Sequence, residues 1–166
     1  WIYPTSSKPI TVLSKMDDNA AYRGFDLIIE QGRPAVHLVH QFPGNFIKTI
    51  TKTPVTLNEW HHVVATYDGS SRAAGVKIYV DGKLAPLVAT SDTLRGTIAT
   101  EKPVHVGRRS ASVPFQGKID EVRLYANRLK DEEVQQLLAG LAGLSKLFAS
   151  ENHTLAERER LRLFYL

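Results

Sequence analysis

The residues most able to do chemistry here are carboxylates, and their spacing does not suit catalysis. Glycoside hydrolysis needs two carboxylates held at a fixed separation across a sugar. Asp120 and Glu121 are adjacent in a predicted strand, so their side chains point to opposite faces. Glu132 and Glu133 stand at a predicted helix start, where acidic residues complement the helix dipole. The acidic residues therefore predict no hydrolytic pair.

Nucleophile and phosphate-binding motifs are also missing from the sequence. There is no Gly-x-Ser-x-Gly elbow and no Gly-x-Gly-x-x-Gly between a strand and a helix. The absence of cysteine excludes thiol catalysis, cysteine-ligated zinc and disulfide bonds. We expect a protein that is not an enzyme.

The histidines do not predict a metal site. His61 and His62 are neighbours in a predicted strand and point to opposite faces, so they cannot jointly bind one ion. His37 and His40 are three apart and also face opposite ways in an extended chain. We interpret all four as strand histidines whose ring nitrogens are satisfied by neighbouring groups.

Asp120 is the acidic residue whose expected burial most needs an explanation. Strand alternation places it on the same face as Val122 and Leu124, towards the core. A buried carboxylate needs a partner. Backbone N–H groups or an arginine such as Arg108 or Arg109 could supply it, and so could a bound cation.

Composition indicates one ordinary globular domain. The chain has 166 residues, of which 43% are hydrophobic and 23% charged. No apolar run approaches the length of a membrane span. The formal charge is +4 and the isoelectric point about 9.4, but the basic residues are dispersed and accompany no nucleic-acid motif. We therefore expect neither a nucleic-acid partner nor a membrane span.

The first three quarters of the chain predict an all-β fold. Short β-branched and aromatic segments alternate with turns, as in a β-sandwich. Gln31-Gly32, Asp68-Gly69 and Asp81-Gly82 place glycine where a tight hairpin needs positive φ. Eight strands are predicted: Ile10 to Ser14, Phe25 to Glu30, Ala35 to His40, Phe46 to Thr51, Trp60 to Tyr67, Val76 to Val80, Val104 to Gly107 and Phe115 to Tyr125.

The sequence of residues 128–166 predicts helices. We expect these residues to form a C-terminal helical extension that follows a β-sandwich of residues 1–127. Leucine and valine recur at helical spacing from a start near Asp131. A second helix is predicted from Thr154, where Glu157 completes a capping box. The sequence ends inside that helix at Leu166, so we expect the natural polypeptide to continue.

Two segments carry a family resemblance. They are Glu59-Trp60-His61-His62-Val63-Val64-Ala65-Thr66-Tyr67-Asp68-Gly69, followed by residues 76–83, and Phe115-Gln116-Gly117-Lys118-Ile119-Asp120-Glu121-Val122-Arg123-Leu124-Tyr125. Together they resemble laminin-G-like domains of the concanavalin A-like lectin/glucanase superfamily, over roughly residues 1–138. The resemblance implies an antiparallel two-sheet jelly roll. Residues 128–134 resemble the short helix that closes such domains, with Lys130 at the usual Ser or Thr cap position.

The same resemblance bears on metal binding and catalysis. An aspartate at the position of Asp120 commonly helps to hold calcium, together with carbonyl oxygens and an N-terminal acid, so calcium is the candidate cofactor. Asp17, Asp18 and Asn19, with Asp26, are a weaker source of oxygen ligands. The superfamily's hydrolases carry Glu-x-Asp-x-Glu on one strand, a pattern absent here, which favours a non-catalytic module.

For a ligand, the family resemblance favours carbohydrate. Sugar binding needs an exposed aromatic plane beside polar groups. Five residues are expected in loops or at outward positions and are the candidate ligand-binding set: Tyr22, Phe42, Asn45, Tyr79 and Arg109. Trp1 and Trp60 are expected to anchor the core. The alternatives are an architectural protein-binding domain without a small ligand and, third, a glucanase-like hydrolase.

The resemblance also predicts an open edge and a location. Family members usually have one or two strands before the tryptophan strand, whereas this sequence begins at Trp1. An unpaired edge would pair with a second copy or a partner chain, or be covered by the C-terminal helices. We expect a secreted, periplasmic or cell-surface module of a larger exported bacterial protein, binding carbohydrate or an extracellular protein.

Overall fold

A computed structural model describes residues 1–110 and 113–148, and the chain divides into two compact units, 1–128 and 129–166. The first unit is built from antiparallel β-strands. Its eleven strands are β1 (Ile2–Pro4), β2 (Ile10–Asp17), β3 (Arg23–Glu30), β4 (Arg33–Gln41), β5 (Asn45–Thr51), β6 (Val63–Tyr67), β7 (Val76–Val80), β8 (Lys83–Leu84), β9 (Leu87–Asp92), β10 (His105–Val106) and β11 (Gly117–Ile119).

Six of these strands form one continuous sheet in the order β10-β2-β3-β4-β5-β9. The three central hairpins, β2–β3, β3–β4 and β4–β5, each pair over six or more residues, in a register that the turns and the hydrophobic pattern specify. A bulge interrupts the β2–β3 pairing between Thr11 and Leu13. The sheet is the larger of the two layers.

The second layer is assembled from two pieces. Strands β6, β7 and β8 form one piece, and β1 with β11 forms the other. A single bridge joins them, in which Ile2 N donates to His61 O at 2.9 Å and His61 N donates to Ile2 O at 2.8 Å. The predicted two-sheet jelly roll is confirmed.

The core lies between the two layers. Val36, Leu38 and Ile47 from the six-stranded sheet pack with Val76 and Ile78 from the second. Alternation along β5 places Ile47 towards this core and both of its neighbours, Phe46 and Lys48, on the opposite face. That opposite face is called the outer face below.

Two predicted tight turns are confirmed. Gln31 and Gly32 have φ of 52° and 74°, and Asp81 and Gly82 have φ of 51° and 75°. Each pair joins two strands as a two-residue loop, the geometry of a type I′ hairpin. Aspartate tolerates this left-handed conformation better than most residues.

Several predicted boundaries were wrong. The last strand covers only Gly117–Ile119, so residues 120–125 are not part of it, and regular pairing of the predicted Trp60 strand starts at Val63. The strands Lys83–Leu84 and Leu87–Asp92 were not predicted. In Leu87–Asp92, the apolar residue Val88 is exposed. This weakens the alternation of apolar and polar residues by which an edge strand is predicted.

Helix α1 (Asp131–Phe148) begins where the sequence predicts. Lys130 at the cap has no side-chain oxygen, but its N–H donates to Glu133 Oε2 at 2.6 Å, which is one half of a capping box. The second helix, predicted from Thr154, lies outside the described residues. In the part of the chain that is described, no helix is long and apolar enough to cross a membrane.

Candidate binding face

A row of polar residues crosses the outer face of the six-stranded sheet. The strand registers place Ser14 beside Asp26, Asp26 beside His37, His37 beside Lys48, and Lys48 beside Ser91. These positions are consecutive neighbours on five strands, although the residues are far apart in the sequence. The β-sheet therefore brings together acidic, basic and imidazole groups.

These groups neutralise one another as a charged network. Arg109 binds Asp26 Oδ2 with Nε at 2.6 Å and Nη2 at 2.5 Å. His37 Nδ1 lies 2.7 Å from Asp26 Oδ1, and its Nε2 lies 3.8 Å from Glu30 Oε1. Lys48 Nζ donates to Glu30 Oε2 at 2.7 Å. The Asp26 side chain is fully buried, so these partners must compensate its carboxylate for the loss of surrounding water.

The network also anchors the loop that carries Arg109. Ser14 Oγ donates to Arg108 O at 2.9 Å, and Thr11 N donates to Val113 O at 3.1 Å. Val113 packs against the buried outer-face residue Ile28. Arg109, a candidate ligand-binding residue, therefore uses Nε and Nη2 to hold its own loop on the sheet.

Beside this network, the same face ends in an aromatic cluster of Tyr22, Phe42 and Phe46. The Phe42 ring centroid lies 5.9 Å from that of Tyr22 and 5.3 Å from that of Phe46. Tyr22 is 41% exposed and Phe42 48% exposed. The cluster thus joins two of the predicted ligand residues and offers apolar ring surface to solvent.

Two loops hold the aromatic cluster in place. Phe42 N donates to Ala21 O at 2.9 Å, which ties the β4–β5 loop to the β2–β3 loop. Ala21 and Tyr22 have φ of 52° and 61°, a left-handed conformation that costs an L-residue about 1–2 kcal/mol. The Phe42–Pro43 peptide is cis. Non-glycine residues in the left-handed region, such as Ala21 and Tyr22, cluster at ligand-binding loops.

Asn45 stands next to the aromatic cluster but is structural in its contacts. Its Nδ2 donates to Arg95 O at 3.0 Å, and its Oδ1 accepts from Arg95 N at 2.6 Å. Both ends of the amide therefore fix residues 93–97 against the end of β5. The exposed Arg95 side chain is carried by this same loop.

Two aromatic expectations were wrong. Tyr79 was expected at an outward position but is 2% exposed, and Ile78 on the opposite face of β7 is buried as well. Trp60 was expected to anchor the core but is 43% exposed. It stands before the bridging residue His61, whose burial turns the preceding side chain outward. Trp1 is partly buried against His62, with ring centroids 5.1 Å apart.

Asp120 does not face the core as expected. Its side chain is exposed because the strand ends at Ile119 and the alternation stops there. Asp120 Oδ1 accepts the backbone N–H of Glu121 at 2.8 Å, whereas Arg109, one of the two arginines considered as its partner, pairs with Asp26.

The acidic and histidine side chains of the described residues do not cluster around a common point. Over 1–110 and 113–148, no group of three or more His, Asp and Glu side chains is placed to hold a metal. Asp17 Oδ1 accepts Asn19 N at 3.0 Å, and Asp26 is directed into the charged network. Asp17 and Asp26 thus direct carboxylate oxygens at donors within the protein, and calcium binding at Asp120 stays a prediction.

Asp81 stabilises the junction between the two pieces of the second sheet, which is called the seam below. Asp81 Oδ2 lies 2.9 Å from His61 Nδ1, and Asp81 Oδ1 accepts His62 N at 2.9 Å. His61 Nε2 lies 3.1 Å from Thr56 O, so both its ring nitrogens have partners, as predicted. His62 differs, because its buried Nδ1 has none, and burial lowers its pKa.

Sequence reasoning missed Phe46 and the partners of Asp26. Phe46 was assigned to a strand and not considered as a ligand residue. The available signal was strand register: once β3, β4 and β5 are aligned as hairpins, Asp26, His37 and Lys48 fall in one row. The contribution of Arg109 comes from a distant loop and leaves no local signal.

Comparison with protein-family profiles agrees with this architecture. A laminin G-type family profile, described as the concanavalin A-like lectin/glucanases superfamily, matches residues 1–135. Among solved structures, a fragment of an S-layer domain-containing protein from Clostridium thermocellum is similar at 17% identity with a TM-score of 0.38. That match covers 83% of this chain and 66% of the other, less than two thirds of its length. No curated protein matches.

Proposed function

This chain belongs to the laminin-G-like domains of the concanavalin A-like lectin/glucanase superfamily, and on that basis we propose that it is a non-catalytic carbohydrate-binding module. The observation that carries the proposal is the exposed aromatic cluster of Tyr22, Phe42 and Phe46 at one end of the outer face. We propose an extracellular or cell-surface location for it.

The cluster suits a sugar because of its shape and its surroundings. Apolar ring faces take the C–H face of a pyranose, and a few polar groups then fix its orientation. The exposed Arg95 provides a charged group on the neighbouring loop. The two ring contacts and the Phe42 N to Ala21 O hydrogen bond hold the aromatic surface in place before a ligand arrives, which reduces the entropy cost of binding.

The acidic residues of the outer face support a binding role over a hydrolytic one. A hydrolase needs one carboxylate free to protonate the leaving group and a second to act on the sugar. Asp26 is buried against Arg109 and His37, and Glu30 pairs with Lys48. Neither carboxylate faces an open space beside the aromatic cluster.

An architectural protein-binding role is the second candidate, and a separate surface favours it. Val122, Leu124 and Tyr125 are 44%, 61% and 45% exposed, in the segment that follows β11. Three large apolar side chains within four residues are exposed to solvent, and exposed apolar patches of this kind mark protein interfaces. A partner chain or a second copy would cover them.

A glycan array followed by calorimetry distinguishes the two functions. We expect the wild-type domain to bind a glycan and Phe42→Ala or Tyr22→Ala to weaken that binding about tenfold or more, as loss of an aromatic anchor does. Tyr125→Ala is the matched control, since it removes an equally exposed ring elsewhere. Glycan binding lost only in Tyr125→Ala, or no glycan bound at all, would overturn the proposal.

A further inference from the structure

The second sheet carries its own aromatic surface, formed by Tyr3, Trp60 and Lys118 and called the Trp60 platform here. In β1, Ile2 and Pro4 are buried and Tyr3 between them points to the other face. The register pairs Tyr3 directly with Lys118 of β11. This surface uses none of the residues of the aromatic cluster on the six-stranded sheet.

The platform combines an open indole with a cation. Trp60 packs edge-on against Tyr3 with ring centroids 5.6 Å apart and stays 43% exposed. Lys118 Nζ lies 5.5 Å from the centroid of the Tyr3 ring, within the range of a cation–π interaction. The Tyr3 ring therefore contacts both the indole of Trp60 and the ammonium group of Lys118.

The backbone beneath the platform is fixed by several contacts. The Ile2–His61 bridge lies next to both Tyr3 and Trp60 in the sequence, and Asp81 and Thr56 hold the His61 ring. Gly117 has φ of 129°, and a Cβ there would lie 1.9 Å from Tyr3 O, so β11 approaches β1 as only glycine allows. The platform is thus preorganised.

Charge decides which ligand suits the platform. Lys118 forms no ion pair with a carboxylate of the described part of the chain, the exposed Glu59 beside Trp60 included. An ammonium group without a carboxylate partner attracts anions, and the chain as a whole carries a formal charge of +4. A ligand with an apolar face and a carboxylate would stack on the Trp60 indole and pair with the Lys118 ammonium group.

We propose that the Trp60 platform is a second carbohydrate subsite, specific for acidic sugars of the uronic acid class. The C–H face of the pyranose stacks on the Trp60 indole, and the uronate carboxylate pairs with the Lys118 ammonium. The inference shares the carbohydrate class with the proposed function but rests on different residues. The module would then contact a polysaccharide on both of its sheets.

The test is calorimetric titration of the full chain at low salt with hexamers of galacturonic, mannuronic and guluronic acid, and with their carboxyl-reduced counterparts. We expect one uronate hexamer to bind and its reduced counterpart to bind more weakly. Trp60→Ala should lower the affinity about 30-fold. Lys118→Gln should lower it about threefold at low salt and leave binding of the reduced sugar unchanged.

Matched variants separate this subsite from the aromatic cluster. Phe42→Ala should leave uronate binding unchanged, and Trp60→Ala should leave binding of a neutral array glycan unchanged. Circular dichroism checks that Trp60→Ala is folded, which the exposure of Trp60 predicts. The inference is overturned if no uronate hexamer binds, if reduced hexamers bind equally well, or if Phe42→Ala rather than Trp60→Ala abolishes uronate binding.

Discussion

Two neighbouring regions of the outer face differ in what their side chains leave available. The charged network contains the groups that look reactive in a sequence, Asp26, His37 and Arg109, and each has a partner within the protein. The aromatic cluster contains Tyr22 and Phe42, which have no acid–base chemistry to offer at neutral pH but remain open to solvent. Exposed side-chain surface, more than reactive residue type, therefore separates the candidate binding region from the structural one.

The largest expected effect is loss of stability when the network loses its central charge. Asp26→Asn removes the anion between Arg109 and His37 and leaves Arg109 without its counter-charge. We expect the free energy of unfolding to fall by about 3 kcal/mol, measured by urea denaturation. Glu121→Gln in the exposed Glu121–Arg123 pair is the control and should cost less than about 1 kcal/mol. Equal effects of the two variants would mean that the network is not structural.

The seam of the second sheet resembles the charged network, because an aspartate, Asp81, stabilises it through hydrogen bonds. Asp81→Ala removes the acceptor for the His61 ring and for His62 N–H, and it places alanine at φ of 51°. We expect a loss of about 2 kcal/mol in thermal or chemical unfolding. Asp81→Asn keeps the turn conformation and one acceptor, so it should cost about half as much. A larger loss for Asn than for Ala would refute the assigned contacts.

The aromatic cluster should show the opposite behaviour. Phe42→Ala truncates a ring that is 48% exposed, so it should cost only about 1 kcal/mol of stability. The same change should weaken glycan binding about tenfold or more. Paired unfolding and calorimetric titrations of this variant and of Asp26→Asn test the contrast. A Phe42→Ala variant that unfolds as readily as Asp26→Asn would place Phe42 among the structural residues.

The smallest effect is a pH dependence from His62. Burial lowers the pKa of this histidine in the folded state, and its Nδ1 has no partner. Above the ordinary histidine pKa of about 6.5 the ring is neutral in both states and the shift contributes nothing. As pH falls below that value the unfolded chain takes up a proton that the folded state resists, so stability decreases.

Replacing the ring tests that account. His62→Gln should make unfolding stability less dependent on pH between about 7.5 and 5.5, measured as the difference from the wild type. Subtracting the two curves removes the shared contributions of the other histidines. An identical slope in both proteins would show that His62 does not resist protonation.

The strands were largely predictable, whereas the site was predictable only in part. The alternation in Val76–Val80 and the Gln31-Gly32 and Asp81-Gly82 turns are local signals, and the structure confirms them. Tyr22 and Phe42 were expected to be exposed loop aromatics, and the structure places both rings in one exposed cluster, while their role in binding stays a prediction. Tyr79 and Asp120 were misplaced because alternation gives a side but does not say what covers that side or where pairing ends.

The partners of Asp26 illustrate why the rest could not be read from the sequence. Asp26 Oδ1 and Oδ2 meet His37 and Arg109, which stand 11 and 83 residues away. The first contact follows from hairpin register, which turns and hydrophobic pattern specify. The second depends on how a loop folds back across the sheet, and nothing local to either residue encodes that.

The most direct test of the proposed function is a nuclear magnetic resonance titration of the labelled chain with the neutral glycan that binds most tightly on the array. We predict the largest shift changes at Tyr22, Phe42 and Phe46, with His37 and Lys48 little affected. The binding site assigned here would be contradicted by changes centred on the charged network or on residues 122–125. An absence of any saturable change would contradict carbohydrate binding itself.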